Sequence, residues 1–179
     1  MDIYITFYMV ILRIYPSSDR LVGDWITAPL WSKIDETVLA EADYITSSVG
    51  DGAGGPVSPG HCTFNWPQNQ MNGSCVITDM IVYTQAKKAV LGTGATSTIN
   101  HTVNYSGTLG ASITLTTTST LYHTHFPVNP IYPKNWTWAD FECPGIYGVA
   151  AGDKTNQAVP VVYQMYIDIV YIQGQIMIY

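Results

Sequence analysis

Three groups of side chains in this sequence have the types and spacing that chemistry could use. The first is acidic. The stretch "WSKIDETVLAEADYI", residues 31–45, holds four of the thirteen acidic residues: Asp35, Glu36, Glu41 and Asp43. Two carboxylates facing each other across a cleft can hydrolyse a glycoside. Carboxylates on a loop can hold Ca²⁺ when six to eight oxygens converge. The alternating Asp pattern of a calcium loop is missing, and Asp51 in "GDGAGG" could give only one ligand to a composite site. These acids therefore read as groups that shape a turn and face water. The second group is His123 and His125 in "LYHTHF", two apart and so on one face of a strand. With His101 they could hold a transition metal, but no Cys or carboxylate stands at a ligand-like spacing. They read as surface or interface imidazoles. The third group is Trp25, Trp31, Trp66, Trp136 and Trp138. Indoles can stack on sugar rings, but core and loop packing is their commoner use. Trp66, beside "NWPQNQ", is the one expected to be exposed, with Tyr122 and Tyr132 near it.

Other chemistry finds no foothold. The sequence has no GxSxG elbow, no phosphate-binding P-loop and no HExxH. "GTGAT", residues 92–96, lacks the third glycine and the following helix of a dinucleotide site. Neither an enzymatic activity, a cofactor nor a resident metal is expected. Cys62, Cys75 and Cys143 make an odd count without a CxxC. A Cys62–Cys75 bridge is one option, and three thiols in a reducing compartment the other. Asn72, Asn100, Asn104 and Asn135 stand in glycosylation sequons, which so much Asn, Ser and Thr produces by chance.

Charge narrows the partners. Seven basic residues face thirteen acidic ones, a net charge of -6, and only 11% of residues are charged. No nucleic acid is expected, because phosphate neutralisation needs a basic footprint. An anionic membrane is disfavoured for the same reason. A surface of neutral Thr, Asn and Tyr suits packing against protein or carbohydrate.

The elements that must position these groups are strands. "MDIYITFYMVILRIYP" is too short to span a bilayer, starts with an acid instead of a basic region, and is rich in Tyr and β-branched residues. It reads as a strand. Alternation puts Met80, Val82 and Thr84 on one face of the next clear strand, with Ile77, Ile81 and Tyr83 on the other. It sets Ile99, Val103 and Tyr105 against Asn100, Thr102 and Asn104. It sets Ile113, Leu115 and Leu121 against the ladder Thr114, Thr116, Thr118 and Thr120. Near the end Val161, Tyr163, Met165, Ile167, Ile169 and Tyr171 oppose Gln164, Tyr166 and Asp168. One apolar and one wet face per strand is the mark of an antiparallel sandwich. Residues 49–61, rich in Gly and Pro, read as a loop. Ser32/Asp35 and Thr137/Asp140 have capping-box spacing and predict two single helical turns. The expected fold is all-β: an antiparallel β-sandwich, a jelly roll of about eight strands, in one domain spanning 1–179. Residues 1–14 and 172–179 are apolar strand-like extensions.

An ordered set of residues adds a resemblance. Arg13, Pro16, Asp19, Trp25, Leu30–Trp31, Ile34–Asp35–Glu36 and Asp43–Tyr44–Ile45 are followed by "NWTWADFE" and "VYQMYIDIVY". This set resembles a jelly-roll module of tailed-phage structural proteins, of the capsid-decoration and head-fibre type, over residues 12–171. The resemblance implies a non-enzymatic virion protein, made in the host cytoplasm and placed on the capsid surface. Its partners would be the major capsid protein and copies of itself. The alternative is a carbohydrate- or receptor-binding module of a fibre or tail. The terminal extensions depart from the pattern and suggest a module that stands alone. Strand edges of that kind need pairing. Ile172, Ile176, Ile178 and Tyr179 are accordingly expected to pair with the N-terminal segment or with a neighbouring subunit.

Overall fold

The structure is a computed structural model that describes residues 3–26, 28–47, 57–67, 75–90, 96–103, 109–131, 134–137, 140, 144–151 and 158–178. Among these residues eleven strands are seen: β1 (Ile3–Ile14), β2 (Ser18–Leu21), β3 (Trp25–Ile26), β4 (Ile45–Ser47), β5 (Val57–Asn65), β6 (Val76–Val90), β7 (Thr96–Thr102), β8 (Leu109–Thr114), β9 (Thr120–Phe126), β10 (Gly145–Ala151) and β11 (Ala158–Ile178). All their pairings are antiparallel. One sheet runs β2-β5-β10-β7-β8. The other is built on β11, with β6 and then β9 on one side and β1, β4 and β3 on the other. The two sheets meet at one corner through the pair Ala151↔Ala158. The expected all-β sandwich is therefore present, with more strands than expected because β2, β3 and β4 are short.

Between the sheets lies one apolar cluster that includes Leu30, Ile34, Ile45, Phe64, Met80, Val82, Ile99, Ile146, Met165, Ile167 and Ile169, all fully buried. Each such side chain contributes about 1.5–3 kcal/mol by leaving water. β10 can lie close to β5 because Gly145 has no side chain. A Cβ there would stand 2.1 Å from the Cys62 carbonyl oxygen.

Bulges change which faces the strands bury. In β11 the register with β6 shifts between Val162 and Gln164. Val162 and Met165 both reach the core, while Val161 and Tyr163 lie outside that cluster. A second shift, between Val170 and Tyr171, brings Ile77 of β6 into the core beside Met80 and Val82. Simple alternation had put Val161 and Tyr163 with Met165, and Ile77 with Ile81 and Tyr83. A single inserted residue reverses the phase of a strand.

Three other expectations change. Residues 111–123 are not one strand. β8 ends at Thr114 and β9 begins at Thr120. Between them Thr116 and Thr120 each donate a hydroxyl to the Thr118 carbonyl, at 2.8 and 3.1 Å. Short hydroxyl side chains that satisfy nearby carbonyls favour a turn over a ladder. Leu121, expected inside, is exposed. The Gly/Pro-rich loop is shorter than expected, because Val57–Asn65 forms β5. Pro59 falls where the register with β10 shifts, the place in a sheet that tolerates a missing donor.

One 3₁₀ turn, Trp31–Lys33, stands where the first helical turn was expected. Its cap is not Ser32, whose hydroxyl donates to the Pro29 carbonyl. Asp19, from β2, accepts from the Leu30 and Trp31 amides at 2.8 and 2.7 Å. The second pair behaves as its spacing predicts: Asp140 accepts from the Thr137 amide and hydroxyl, both at 2.7 Å.

Candidate interaction surface

The side chains singled out for chemistry are scattered by this fold. Lys33 pairs with Asp43 at 2.7 Å. The Glu36 carboxyl is pushed up, first by burial and then by the negative charges of Asp43 and Asp35. The backbone of the same segment docks on the β11 bulge. The Met165 amide donates to the Ile34 carbonyl at 2.9 Å, and the Gln164 side chain donates to the Glu36 carbonyl. The segment therefore closes the bulge and supplies acceptors that a bulged strand would otherwise lack. Glu41 lies elsewhere, at the edge of a depression of about 440 Å³ lined by Tyr44, Thr46, Lys87, Val161 and Tyr163 among others. The Lys87 ammonium sits 5.2 Å from the centre of the Tyr163 ring.

His123 and His125 do share a face of β9, with rings 5.4 Å apart. His101 is not with them. It is fully buried between the sheets, its Nε2 2.8 Å from the Thr84 hydroxyl and its Nδ1 2.8 Å from the Thr124 hydroxyl. Burial, aided by the nearby His123, holds its pKa down to about 3. A neutral imidazole with both nitrogens engaged is a structural bridge rather than a ligand. Among the described residues no group of three His, Cys, Asp or Glu side chains is placed to hold a metal. Asp51 lies outside the described residues, as do Tyr132, Trp138, Cys143 and Tyr179.

Trp66, expected to be exposed, is 3% exposed. Its indole N–H donates to the Pro144 carbonyl at 3.0 Å, and its ring meets Phe64 edge-on. Tyr122 is on the other sheet, where its hydroxyl accepts from the Thr116 amide. Trp136 is buried too and donates to the Phe126 carbonyl. The sequence could not separate these indoles from surface ones, because the indole N–H of each is bound by a carbonyl of another segment, 78 residues away for Trp66 and 10 for Trp136. Cys62 and Cys75 stand as thiols, and burial pushes the Cys62 thiol up.

What the fold does assemble is a surface on the outer side of the β11 sheet. Register places Arg13 opposite Asp168, and Tyr166 opposite Tyr83, which is opposite His123. Arg13 holds Asp168 in a two-pronged pair, with both nitrogens at 2.8 Å. Its guanidinium lies 4.0 Å from the Tyr166 ring centre, and Tyr166 stacks on Tyr83 with centroids 4.7 Å apart. His125 closes the row by pairing with Asp79 at 2.8 Å. The Asp168 carboxylate raises the Arg13 pKa by hydrogen bonding, so the guanidinium stays charged at any ordinary pH. Forked geometry over an aromatic ring is where Arg outperforms Lys.

Beyond this row the sheet narrows to a ribbon. β1 pairs with β11 in unbroken register from Ile14↔Ile167 to Ile3↔Ile178, whereas β6 leaves β11 at Ile172. The terminal segments thus pair with each other, and the backbones of Ile176 and Ile178 lie opposite Ile5 and Ile3. The outer face of the ribbon continues from Arg13 through Ile11, Met9, Phe7 and Ile5. All four apolar residues are exposed, with Phe7 at 68% and Met9 at 74%. Ile172 is exposed beside them, and Phe7 lies against Gly174. An exposed apolar stripe of this extent marks a contact surface. Its sequence signal was present in the period-two run Ile5, Phe7, Met9, Ile11 ending at Arg13. The pairing of Arg13 with Asp168, 155 residues away, had none.

Against known proteins, no family model matches the chain and no curated protein matches it in sequence. Among the described residues no helix is long and apolar enough to cross a membrane.

Proposed function

We propose that the chain is a non-enzymatic structural subunit of a phage particle. In this reading it is a jelly-roll decoration protein seated on the outer capsid surface, with the major capsid protein and further copies of itself as partners. The observation behind it is the β1–β11 ribbon, whose apolar outer face is exposed on a chain otherwise poor in exposed charge. Such a face gains free energy only when another protein surface covers it. The ordered residue set, in its resemblance to phage jelly rolls, points to the virion as the setting. A subunit of this kind would act mechanically, adding buried area across the joints of a closed shell. Cryo-electron microscopy of the parent particle tests the reading. The expected result is density for the sandwich on the capsid exterior, with the ribbon inserted between neighbouring subunits. Density confined to the tail tip would overturn it.

A second reading, carbohydrate binding, has the depression at Tyr44, Tyr163 and Lys87 in its favour, where aromatic faces lie beside charged hydrogen-bonding groups. A glycan-array signal lost in Tyr44→Ala would support it. A blank array across phage-receptor polysaccharides would remove it.

A further inference from the structure

On its β9 side the outer face of the β11 sheet ends in three polar residues in line. Register sets His123 opposite Tyr83 and His125 opposite Ile81, and Asp79 stands two residues before Ile81 on the same face of β6. His125 is therefore flanked by Asp79 on one side and His123 on the other. Its Nδ1 is 2.8 Å from the Asp79 Oδ2. An ionised carboxylate can only accept, so Nδ1 carries the proton and the neutral ring keeps a lone pair on Nε2. The two nitrogens of an imidazole point well apart. A ring held at Nδ1 by Asp79 turns Nε2 away from that carboxylate, toward the side where His123 stands.

We propose that His123 and His125 form a surface site for a divalent transition metal of the Zn²⁺, Ni²⁺ or Cu²⁺ class, with Asp79 as the residue that positions His125. The spacing fits. The ring centres are 5.4 Å apart. An ion about 2.0–2.1 Å from each nitrogen stands roughly 3.2 Å from each ring centre, and two rings on a tetrahedral ion are then about 5.2 Å apart. No backbone movement is needed. The order carboxylate, histidine, metal is the one that fixes a ligand's tautomer and raises its basicity. The charge fits as well. Asp79 Oδ1 is buried without a hydrogen-bond partner among the described residues, so an ion on His125 offsets charge that a neutral imidazole leaves uncompensated. The site is open. The His125 side chain is 54% exposed, and among the described residues β9 pairs with β6 alone, so water can fill the remaining positions. No third His, Cys, Asp or Glu among the described residues joins the two rings as a ligand. The ion is accordingly exchangeable and the fold does not depend on it. Imidazole nitrogen selects these metals over Mg²⁺ and Ca²⁺, which take oxygen. This site and the virion reading stand or fall separately.

Calorimetric titration of ZnCl₂ into the full chain tests the site. The double variant His123→Ala/His125→Ala keeps Cys62, Cys75, Cys143, His61 and His101, and so sets the background from every other sulfur or imidazole ligand. Wild type should bind one ion per chain above that background, and excess Mg²⁺ should not displace it. His123→Ala and His125→Ala should each lower the affinity at least about tenfold, with unchanged circular dichroism because both rings are exposed. Asp79→Asn should also cost about tenfold, although both ligands remain. Binding as tight in the double variant as in wild type overturns the proposal. Displacement by Mg²⁺ does so too, since it marks an oxygen site. An affinity that Asp79→Asn leaves unchanged overturns the role given to Asp79.

Discussion

The two ends of β11 are the same kind of sequence in opposite environments. From Ala158 to Ile169 every residue is buried. Neighbouring strands flank this part on both sides, with β6 on one and β4 and the end of β1 on the other. Its polar groups have partners: Asp168 has Arg13 and Gln164 has the Glu36 carbonyl. After Ile172 only β1 remains, and residues 172–174 are exposed. Isoleucines occur in both halves. The number of neighbours, and not residue type, separates the core of the sheet from its ribbon.

That contrast predicts a graded response to substitution. The largest effect belongs to the body. Gly145→Ala would force a Cβ into the Cys62 backbone, which has no room to yield. The expected cost is about 3 kcal/mol or more, read as loss of cooperative thermal unfolding near the wild-type midpoint. An unchanged midpoint would mean that β5 and β10 are not packed as described.

Next comes the junction between body and ribbon. Arg13→Met leaves the Asp168 carboxylate, 6% exposed, without its partner. A loss of about 3 kcal/mol in urea unfolding is expected. Asp168→Asn should cost less, because the half-exposed Arg13 left behind can be solvated. Equal losses in both variants would show that the pair is not buried on one side only.

The sandwich interior should respond to pH through His101. Its folded pKa, about 3, lies below the unfolded value near 6.5. Above pH 6.5 neither state is protonated and nothing is lost. Below it the unfolded chain takes up a proton that the folded chain refuses, so stability falls by up to about 1.4 kcal/mol per pH unit until the pH nears 3. About 2 kcal/mol should be gone at pH 5, and His101→Gln should flatten that slope.

A smaller effect is expected where an acid of β2 caps the 3₁₀ turn. Asp19→Ala removes an acceptor shared by the Leu30 and Trp31 amides, at a cost of about 1–2 kcal/mol in chemical denaturation. The smallest effect belongs to the ribbon. Met9→Ser should change the stability of the monomer by less than about 0.5 kcal/mol, since the side chain is already in water. A large loss there would erase the distinction between the two ends of β11.

Local patterns were legible where they depended on nearby residues. The N-terminal strand, the cap of Asp140 on Thr137 and the shared face of His123 and His125 follow from spacing alone. The bulges in β11 and β6 were not legible, because an inserted residue reveals itself only against a partner strand. The acidic stretch docks on the bulge through its backbone carbonyls. Its contacts with the bulge at Gln164 and Met165 run over 128 residues of intervening chain for the Glu36 carbonyl, and no local spacing encodes them. Trp66 was misjudged for the same reason, since its indole N–H is bound by the Pro144 carbonyl, 78 residues along the chain.

By itself the sequence determined that this chain is built from strands, that it carries little charge, and that its first residues form an uncharged apolar strand. These follow from side-chain shape, alternation and composition, which act within a few residues. Only the tertiary structure decided which apolar faces are covered, that His101 bridges two sheets, and that β1 runs past the body with β11 as its one strand partner among the described residues. Burial and pairing are set by segments that meet after folding, and the distance between them along the chain leaves no mark in either segment.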